Sequence, residues 1–181
     1  NKSEAKNTMR KAKVPVVPGT KEPVYTVEQA LEAVKEIGFP VMIKASAGGG
    51  GKGMRVAGNE QEFAKLFETA QQESVHSFSD NTMYLERFVE NPRHVEVQIL
   101  ADKYGNVVHL GERDCSVQRR HQKMIEESPC IAISDDLRKK MGETAVRAAK
   151  AAGYESAGTI EFLLDQSGEF YFMEMNTRIQ V

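Results

Sequence analysis

The sequence has few of the features that mark secreted, membrane or nucleic-acid-binding proteins. Its 181 residues include only two cysteines, Cys115 and Cys130, too few for a disulfide framework or a cysteine zinc site. The formal net charge is −2, so no overall basic field favours nucleic acid. No apolar run reaches the roughly 18–20 residues that a membrane helix needs, and no export signal opens the chain. We therefore expect a cytoplasmic protein that binds neither nucleic acid nor membrane.

Glycine, in contrast, is concentrated in one place, with five glycines in residues 48–53. Glycine N–H groups approach a ligand without a Cβ in the way, and Lys44 precedes the run. A dinucleotide-binding turn would open a helix, whereas residues 54–57 read as a strand, and a Walker A loop would have Ser or Thr after Lys52. The run predicts a hairpin tip that covers nucleotide phosphates, as the glycine loop of kinases does. A flexible linker is the alternative.

Apolar periodicity and end signals predict an α+β chain with mainly antiparallel strands. Thr26, Asn59 and Ser134 are placed to cap helices, and Gly38 and Gly153 to end them. The predicted helices cover residues 2–12, 27–37, 60 to a polar loop at 76–82, and 135–152. The predicted strands cover residues 39–43, 54–57, 83–89, 94–100, 107–111, 159–165 and 170–176.

The final hairpin gives the sharpest prediction from the residues themselves. If Ser167 and Gly168 are the centre of its loop, Glu161 lies opposite Glu174, with Cβ atoms about 4.5–5.5 Å apart. Like charges so placed destabilise a sheet unless a cation neutralises them. Asn176 follows on the same face, and these oxygens are ligands that Mg²⁺ prefers beside phosphates. The pattern predicts a metal site; a solvated charged face is the alternative, and a one-residue slip would separate the carboxylates.

A dense charged run at residues 113–123 follows the strand predicted at 107–111. No aromatic residue is interleaved for base stacking, which disfavours nucleic acid. Arginine and lysine suit a carboxylate-like oxyanion, whereas His121 alone is typical of a surface histidine. From these residues alone, an anion site and a solvated surface both stay open.

Four stretches together resemble the ATP-grasp core of biotin carboxylase, found in biotin-dependent carboxylases such as acetyl-CoA carboxylase. They are residues 44–54, 90–98, 112–123 and 174–181. The likeness covers essentially the whole chain, and 112–123 is its most specific part, because other ATP-grasp ligases do not carry that segment in this form. It implies an ATP-grasp fold with a connecting helix (1–15), a small glycine-flap lid subdomain (16–88) and a truncated, mainly antiparallel central subdomain with helices (89–181).

The resemblance also implies roles for individual residues. The nucleotide would contact Lys2, Lys44, Gly50, Gly51, Glu86, Arg87, Phe88, Val89, His94, Gln118 and His121. Two Mg²⁺ or Mn²⁺ ions would be bound by Glu161, Glu174 and Asn176. The bicarbonate site would contain Lys123, Arg178 and Val181, with Lys123 and Arg178 as the catalytic residues.

The implied reaction is the ATP-dependent carboxylation of biotin. Phosphoryl transfer to bicarbonate gives carboxyphosphate, which breaks down to CO2 and phosphate, and biotin on a carrier protein attacks the CO2. The implied partners are a biotin carboxyl carrier protein or domain, a carboxyltransferase and, for a full-length parent, a second copy in a homodimer. Another ATP-grasp ligase, such as a carbamoyl-phosphate or purine-pathway enzyme, and a non-catalytic nucleotide-binding fragment are the alternatives.

Three parts of the family pattern are missing from the sequence. A glutamate that acts as general base on bicarbonate would follow Val181, an arginine near biotin would come later, and an N-terminal domain would complete the nucleotide cleft. We therefore expect a piece of a longer polypeptide that does not turn over alone.

Overall fold

The computed structural model describes residues 2–47, 53–119 and 122–179, and for residues 2–4 the backbone only. The chain divides into two compact units, Val17–Val89 and Asn1–Val16 with Glu90–Val181. Among the described residues, no helix is long and apolar enough to cross a membrane. In chain order the elements are α1 (Lys2–Lys11), α2 (Val27–Ile37), β1 (Val41–Ala45), β2 (Met54–Ala57), α3 (Glu60–Phe78), β3 (Met83–Arg87), β4 (Arg93–Ala101), β5 (Val107–Arg119), β6 (Gln122–Glu127), α4 (Asp135–Ala151), β7 (Ser156–Leu164) and β8 (Phe170–Asn176).

The unit Val17–Val89 is an antiparallel sheet of order β2-β1-β3 with α2 and α3 packed against it. Side chains alternate along β1, so Val41 and Ile43 are buried. The helical spacing of Phe63 and Phe67 puts both rings into the same core. Burial of each such side chain contributes about 1.5–3 kcal/mol, which holds the strands around the glycine run in place.

The second unit is an antiparallel sheet of order β6-β5-β4-β7-β8 whose core side packs against α4. Alternation along β4 and β7 sends Val95, Val97 and Ile160 into this core together with Met141 of α4. The alternate residues of the same strands therefore occupy the opposite face. Polar side chains collect on that face.

Register shifts occur in three strand pairs of the second sheet, and the β-bulges in β4–β5 and β7–β8 matter most for the polar face. Between the pairs Val97↔Glu112 and Ile99↔His109, β5 carries an extra residue, and Gly111 there has φ +95°. Between Phe162↔Phe172 and Glu161↔Glu174, β8 also carries an extra residue, Met173. Each bulge shifts the remainder of its strand by one residue and so exchanges the faces of its side chains.

The predicted helices and end signals agree closely with the structure. Thr26, Asn59 and Ser134 accept hydrogen bonds from backbone N–H groups of the first turns of α2, α3 and α4. Gly38 ends α2 with φ 81°, a conformation that glycine adopts without strain. One boundary is wrong: α3 continues to Phe78, into the predicted loop at 76–82, because Val75 still accepts a helical hydrogen bond from Ser79.

Two strand predictions need correction. Residues 113–119 and 122–127 form a β5–β6 hairpin, not a polar run beyond the sheet, because partners on β4 and β7 neutralise charges on this hairpin. The loop of the last hairpin is not centred on Ser167–Gly168, since Leu164 pairs with Phe170, one residue away from the predicted register. The bulge at Met173 restores the predicted register farther along the strand, so Glu161 does lie opposite Glu174.

Candidate functional site

One row of paired residues crosses the polar face of the five-stranded sheet. Arg113 of β5 pairs with Glu96 of β4, Glu96 with Glu161 of β7, and Glu161 with Glu174 of β8. Directly paired residues project from the same face, so four ionisable side chains follow one another across four strands. Three of them are carboxylates, an arrangement that requires neighbouring cations.

Lys123 of β6 supplies the central cation. Its ammonium lies 2.5 Å from Glu161 Oε1 and also donates to Glu96 Oε2. The Glu96 side chain is 1% exposed and that of Glu161 10%, so both carboxylates are largely removed from water. Burial by itself would lower the Lys123 pKa, but the hydrogen bonds to Glu161 and Glu96 outweigh it and raise the pKa. Lys123 is therefore a fixed positive charge between two carboxylates.

The predicted metal ligands lie beside this ammonium. Asn176 Nδ2 donates to Glu161 Oε1 at 2.7 Å, and Arg178 Nη1 donates to Asn176 Oδ1 at 2.7 Å. No hydrogen bond or ion pair involves the Glu174 carboxylate within residues 5–47, 53–119 and 122–179. Two carboxylates and an amide on one face match the oxygen chemistry of Mg²⁺ and Mn²⁺. These oxygens therefore fit the predicted cation. Its binding would compete with the hydrogen bonds that Lys123 donates to Glu161 and that Arg178 donates to Asn176.

Cys115 lies next to this cluster but is not suited to it as a ligand. Its sulfur and one oxygen each of Glu96 and Glu126 are within 4.8 Å of one another. Burial, followed by the negative charge of Glu96, raises the pKa of the Cys115 thiol to about 12. Since metals bind the thiolate and both Glu96 oxygens already accept from Arg113 and Lys123, this trio favours a buried neutral thiol.

Five predicted nucleotide residues are described in the unit Val17–Val89: Lys44 on β1, Glu86 and Arg87 on β3, and Phe88 and Val89 directly after β3. Lys44 forms a half-buried ion pair with Glu86, whose neighbour Arg87 donates from Nε to the carbonyl of Ile37 at 3.1 Å. The Phe88 N–H donates to Pro40, which anchors the chain after β3. Arg87 thus satisfies the C-terminal end of α2, a structural contact that sequence reasoning did not anticipate.

The other predicted residues lie as follows. The backbone N–H of His94 donates to Ser116 Oγ, and Gln118 Nε2 donates to the carbonyl of Cys115. Val89 follows β3 and is half-buried. The side chain of Lys2 is not described, and the remaining predicted residues lie outside the described ranges: Gly50, Gly51, His121 and Val181.

Sequence reasoning missed the two most heavily bonded members of the row, Glu96 and Arg113. A signal for Glu96 is present, because Val95 and Val97 alternate around it and predict that Glu96 faces away from the core. No local signal identifies Arg113, since its side of the sheet depends on the bulge at Gly111.

Comparison with known proteins agrees with these features. The family model for the carbamoyl-phosphate synthase L chain, ATP binding domain, matches residues 1–181. The chain is 61% identical to a biotin carboxylase of Nostoc sp. over 181 residues, which make up 100% of this chain and 40% of that protein. The structure of a Campylobacter jejuni biotin carboxylase–beta-gamma-ATP complex is 55% identical with a TM-score of 0.79, covering 99% of this chain and 40% of that one.

A third similar protein is the biotin carboxylase domain dimer of Hydrogenobacter thermophilus 2-oxoglutarate carboxylase, solved with MgADP, ADP and bicarbonate. It is 51% identical with a TM-score of 0.77, over 100% of this chain and 40% of that one.

The chain belongs to the family of the carbamoyl-phosphate synthase L chain ATP-binding domain. The predicted α+β, ATP-grasp class is confirmed, since these structural neighbours are biotin carboxylase ATP-grasp domains. More particularly, the region corresponds to the ATP-grasp region of biotin carboxylases, as the resemblance predicted. The chain spans about 40% of the length of the biotin carboxylases it matches.

Proposed function

We propose that the protein containing this region is an ATP-dependent ligase that carboxylates biotin on a carrier protein or domain. ATP phosphorylates bicarbonate, and the resulting carboxyphosphate breaks down to phosphate and CO2, which the ureido nitrogen of biotin attacks. The observation that carries the proposal is the Lys123 ammonium, held between buried Glu96 and Glu161 beside Asn176 and Arg178. The similarity to biotin carboxylases across the whole chain supports it.

Lys123 and Arg178 are the proposed bicarbonate-binding cations and catalytic residues. An ammonium offers three donors, of which two are engaged by Glu161 and Glu96, and a guanidinium presents a planar fork that matches a carbonate oxygen pair. Fixed donors at the developing negative charge require no reorganisation when the phosphoryl group moves. Val181 is proposed as a further contact of bicarbonate.

The proposed nucleotide contacts remain those that the family resemblance implies. Lys44 would interact with phosphates, which requires it to exchange its ion pair with Glu86 for the more highly charged ligand. The other proposed contacts are Lys2, Gly50, Gly51, Glu86, Arg87, Phe88, Val89, His94, Gln118 and His121.

Glu161, Glu174 and Asn176 are the proposed ligands of Mg²⁺ or Mn²⁺. When bound, such an ion neutralises charge on the transferring phosphoryl group. Glu174 is the best diagnostic position, because its carboxylate has no partner to lose among the described residues. A change at Glu174 therefore reports ligand binding more directly than a change at Glu161.

The proposed partners are a biotin carboxyl carrier protein or domain, a carboxyltransferase and a second copy of the protein. The dimeric Hydrogenobacter domain supports the last of these. A cytoplasmic location stays a prediction. The identity of the final carboxyl acceptor belongs to the carboxyltransferase.

The decisive experiment measures what ATP cleavage depends on in the full-length protein. We expect ADP release with bicarbonate to be stimulated by free biotin, and label from radioactive bicarbonate to appear in carboxybiotin. A carbamoyl-phosphate-synthetase-like ligase is the second candidate, favoured by the name of the matching family model. ADP release that requires ammonia or glutamine and is not stimulated by biotin would support that candidate and overturn the proposed carboxylation of biotin.

A matched pair of variants tests the metal site. Glu174→Gln removes a proposed ligand, and Glu169→Gln removes an exposed carboxylate from the turn of the same hairpin. We expect Glu174→Gln to weaken Mn²⁺ binding, followed by electron paramagnetic resonance, by at least about 10-fold, because even the loss of a group that only orients a metal ligand costs about 10–100-fold. Equal Mn²⁺ affinity in the two variants would remove Glu174 from the site.

A further inference from the structure

The two oxygens of Glu96 are shared between two different cations. Glu96 Oε1 accepts from Arg113 Nε at 2.8 Å and from Nη2 at 2.5 Å, while Oε2 accepts from the Lys123 ammonium. Arg113 therefore places two N–H groups on one oxygen and leaves the other oxygen to Lys123. With a side chain only 1% exposed, Glu96 has little water to replace either partner.

Arg113 is itself held in one orientation. Its Nη1 donates to Gln98 Oε1 at 3.1 Å, and its Nε lies 3.6 Å from Glu126 Oε2. The bulge at Gly111 puts Arg113 on the same face as Glu96, directly across from it.

Arg113 changes the balance of charge around Lys123. Lys123 contacts two carboxylates, Glu96 and Glu161, so without Arg113 its single positive charge would face two negative charges. Arg113 neutralises Glu96 from the far side and so leaves the ammonium with attraction for an added anion.

We propose that Arg113 is a positioning residue that sets the affinity of Lys123 for bicarbonate by occupying Glu96, without touching bicarbonate. This inference rests on the proposed function. In Arg113→Met the uncompensated Glu96 competes with bicarbonate for the ammonium. In Arg113→Lys the charge is kept, but one ammonium replaces the fork that bonds both Glu96 and Gln98.

The experiment is steady-state ATP cleavage by the full-length protein, with bicarbonate and ATP varied separately. We expect Arg113→Met to raise the bicarbonate KM by about 10-fold or more, because the uncompensated Glu96 then competes with bicarbonate for the Lys123 ammonium, while the ATP KM stays within about twofold. Arg113→Lys is expected to recover part of the bicarbonate KM. Arg147→Met, which removes an exposed arginine from α4, serves as the control and leaves both KM values unchanged.

A double variant separates this role from simple loss of folding. If Arg113 acts by neutralising Glu96, adding Glu96→Gln to Arg113→Met lowers the bicarbonate KM relative to Arg113→Met alone. An unchanged bicarbonate KM in Arg113→Met, or equal increases for ATP and bicarbonate, overturns the inference. If Arg113→Met does not fold, Arg113→Gln, which also removes the positive charge, is judged by the same criteria. A wild-type protein with no bicarbonate-dependent ATP cleavage would instead overturn the proposed function, and the Arg113 inference with it.

Discussion

Lys123 Nζ lies 2.5 Å from Glu161 Oε1, although 38 residues separate them in the chain. The same ammonium reaches Glu96, so one lysine from β6 links carboxylates of β4 and β7. Loss of that charge would leave two negative carboxylates without their lysine partner, in a place mostly shielded from water.

Lys123→Met should therefore destabilise the protein as well as inactivate it. We expect the free energy of unfolding in urea to fall by about 3 kcal/mol, because two buried carboxylates lose their partner. Lys139→Met, at an exposed position of α4, should change it by less than about 0.5 kcal/mol. The pKa of Lys123 is raised in the folded state, so this stabilisation persists below the ordinary value of 10.5 and disappears only as pH rises through the raised folded pKa. A difference between wild type and Lys123→Met that vanished already at pH 8 would contradict the ion-pair geometry.

Cys115 should be almost inert toward alkylating reagents. Its pKa of about 12 leaves a thiolate fraction on the order of 10⁻⁴ at pH 8, whereas an ordinary thiol has about a quarter ionised. We expect iodoacetamide to modify Cys115 at least about 100-fold more slowly in the folded protein than in the protein unfolded in urea. Mass spectrometry measures both rates. Glu96→Gln should speed the labelling, since the Glu96 charge also raises this pKa. Equal rates of Cys115 labelling in the folded and the unfolded protein would contradict the prediction.

Asp114 should stabilise the fold at neutral pH and lose this effect in acid. Burial alone would raise its pKa, but hydrogen bonds from Ser116 and then Arg93 outweigh burial and lower it. The stabilisation is therefore complete above the ordinary value of 3.8 and is lost as pH falls through the lower folded pKa. We expect Asp114→Asn to reduce the free energy of unfolding by about 1–3 kcal/mol at pH 7.

The control for that experiment is Glu155→Gln, which removes an exposed carboxylate from the same unit. The free energy of unfolding of Glu155→Gln should follow that of the wild type at every pH. The difference in this free energy between wild type and Asp114→Asn should become smaller only below about pH 4. A gap that stayed constant down to pH 2 would show that Asp114 contributes through packing and not through its charge.

Gly158→Ala should disturb the metal ligands from the neighbouring strand. A Cβ at Gly158 would lie 2.8 Å from the backbone oxygen of Asn176 and 3.0 Å from the Tyr154 ring, so β8 must move. We expect a loss of about 1–3 kcal/mol in stability together with weaker Mn²⁺ binding. Gly58→Ala is the matched control, because its nearest neighbour is the flexible Glu62 carboxylate at 3.1 Å. Unchanged Mn²⁺ affinity in Gly158→Ala would show that Asn176 is not a ligand or is not displaced.

The last hairpin shows how far local reasoning reached. A loop centred on Ser167–Gly168 predicted that Glu161 lies opposite Glu174, and that pair is present. Next to the turn, however, Phe162 pairs with Phe172, so the predicted register there is wrong by one residue. The correct pair depends on the bulge at Met173, which the sequence pattern did not predict. The residue-by-residue roles in ATP, bicarbonate and metal binding stay predictions.

The sequence by itself determined the positions of the helices, their caps and the alternation of apolar residues along β4, because these depend on neighbours a few residues apart. It also determined the family, through motifs that the comparisons support. Only the tertiary structure decided that residues 113–119 and 122–127 lie on two paired strands and that Arg113, Glu96 and Lys123 meet. Those positions depend on a bulge and on ion pairs between distant strands, whose energies no local pattern of residues contains.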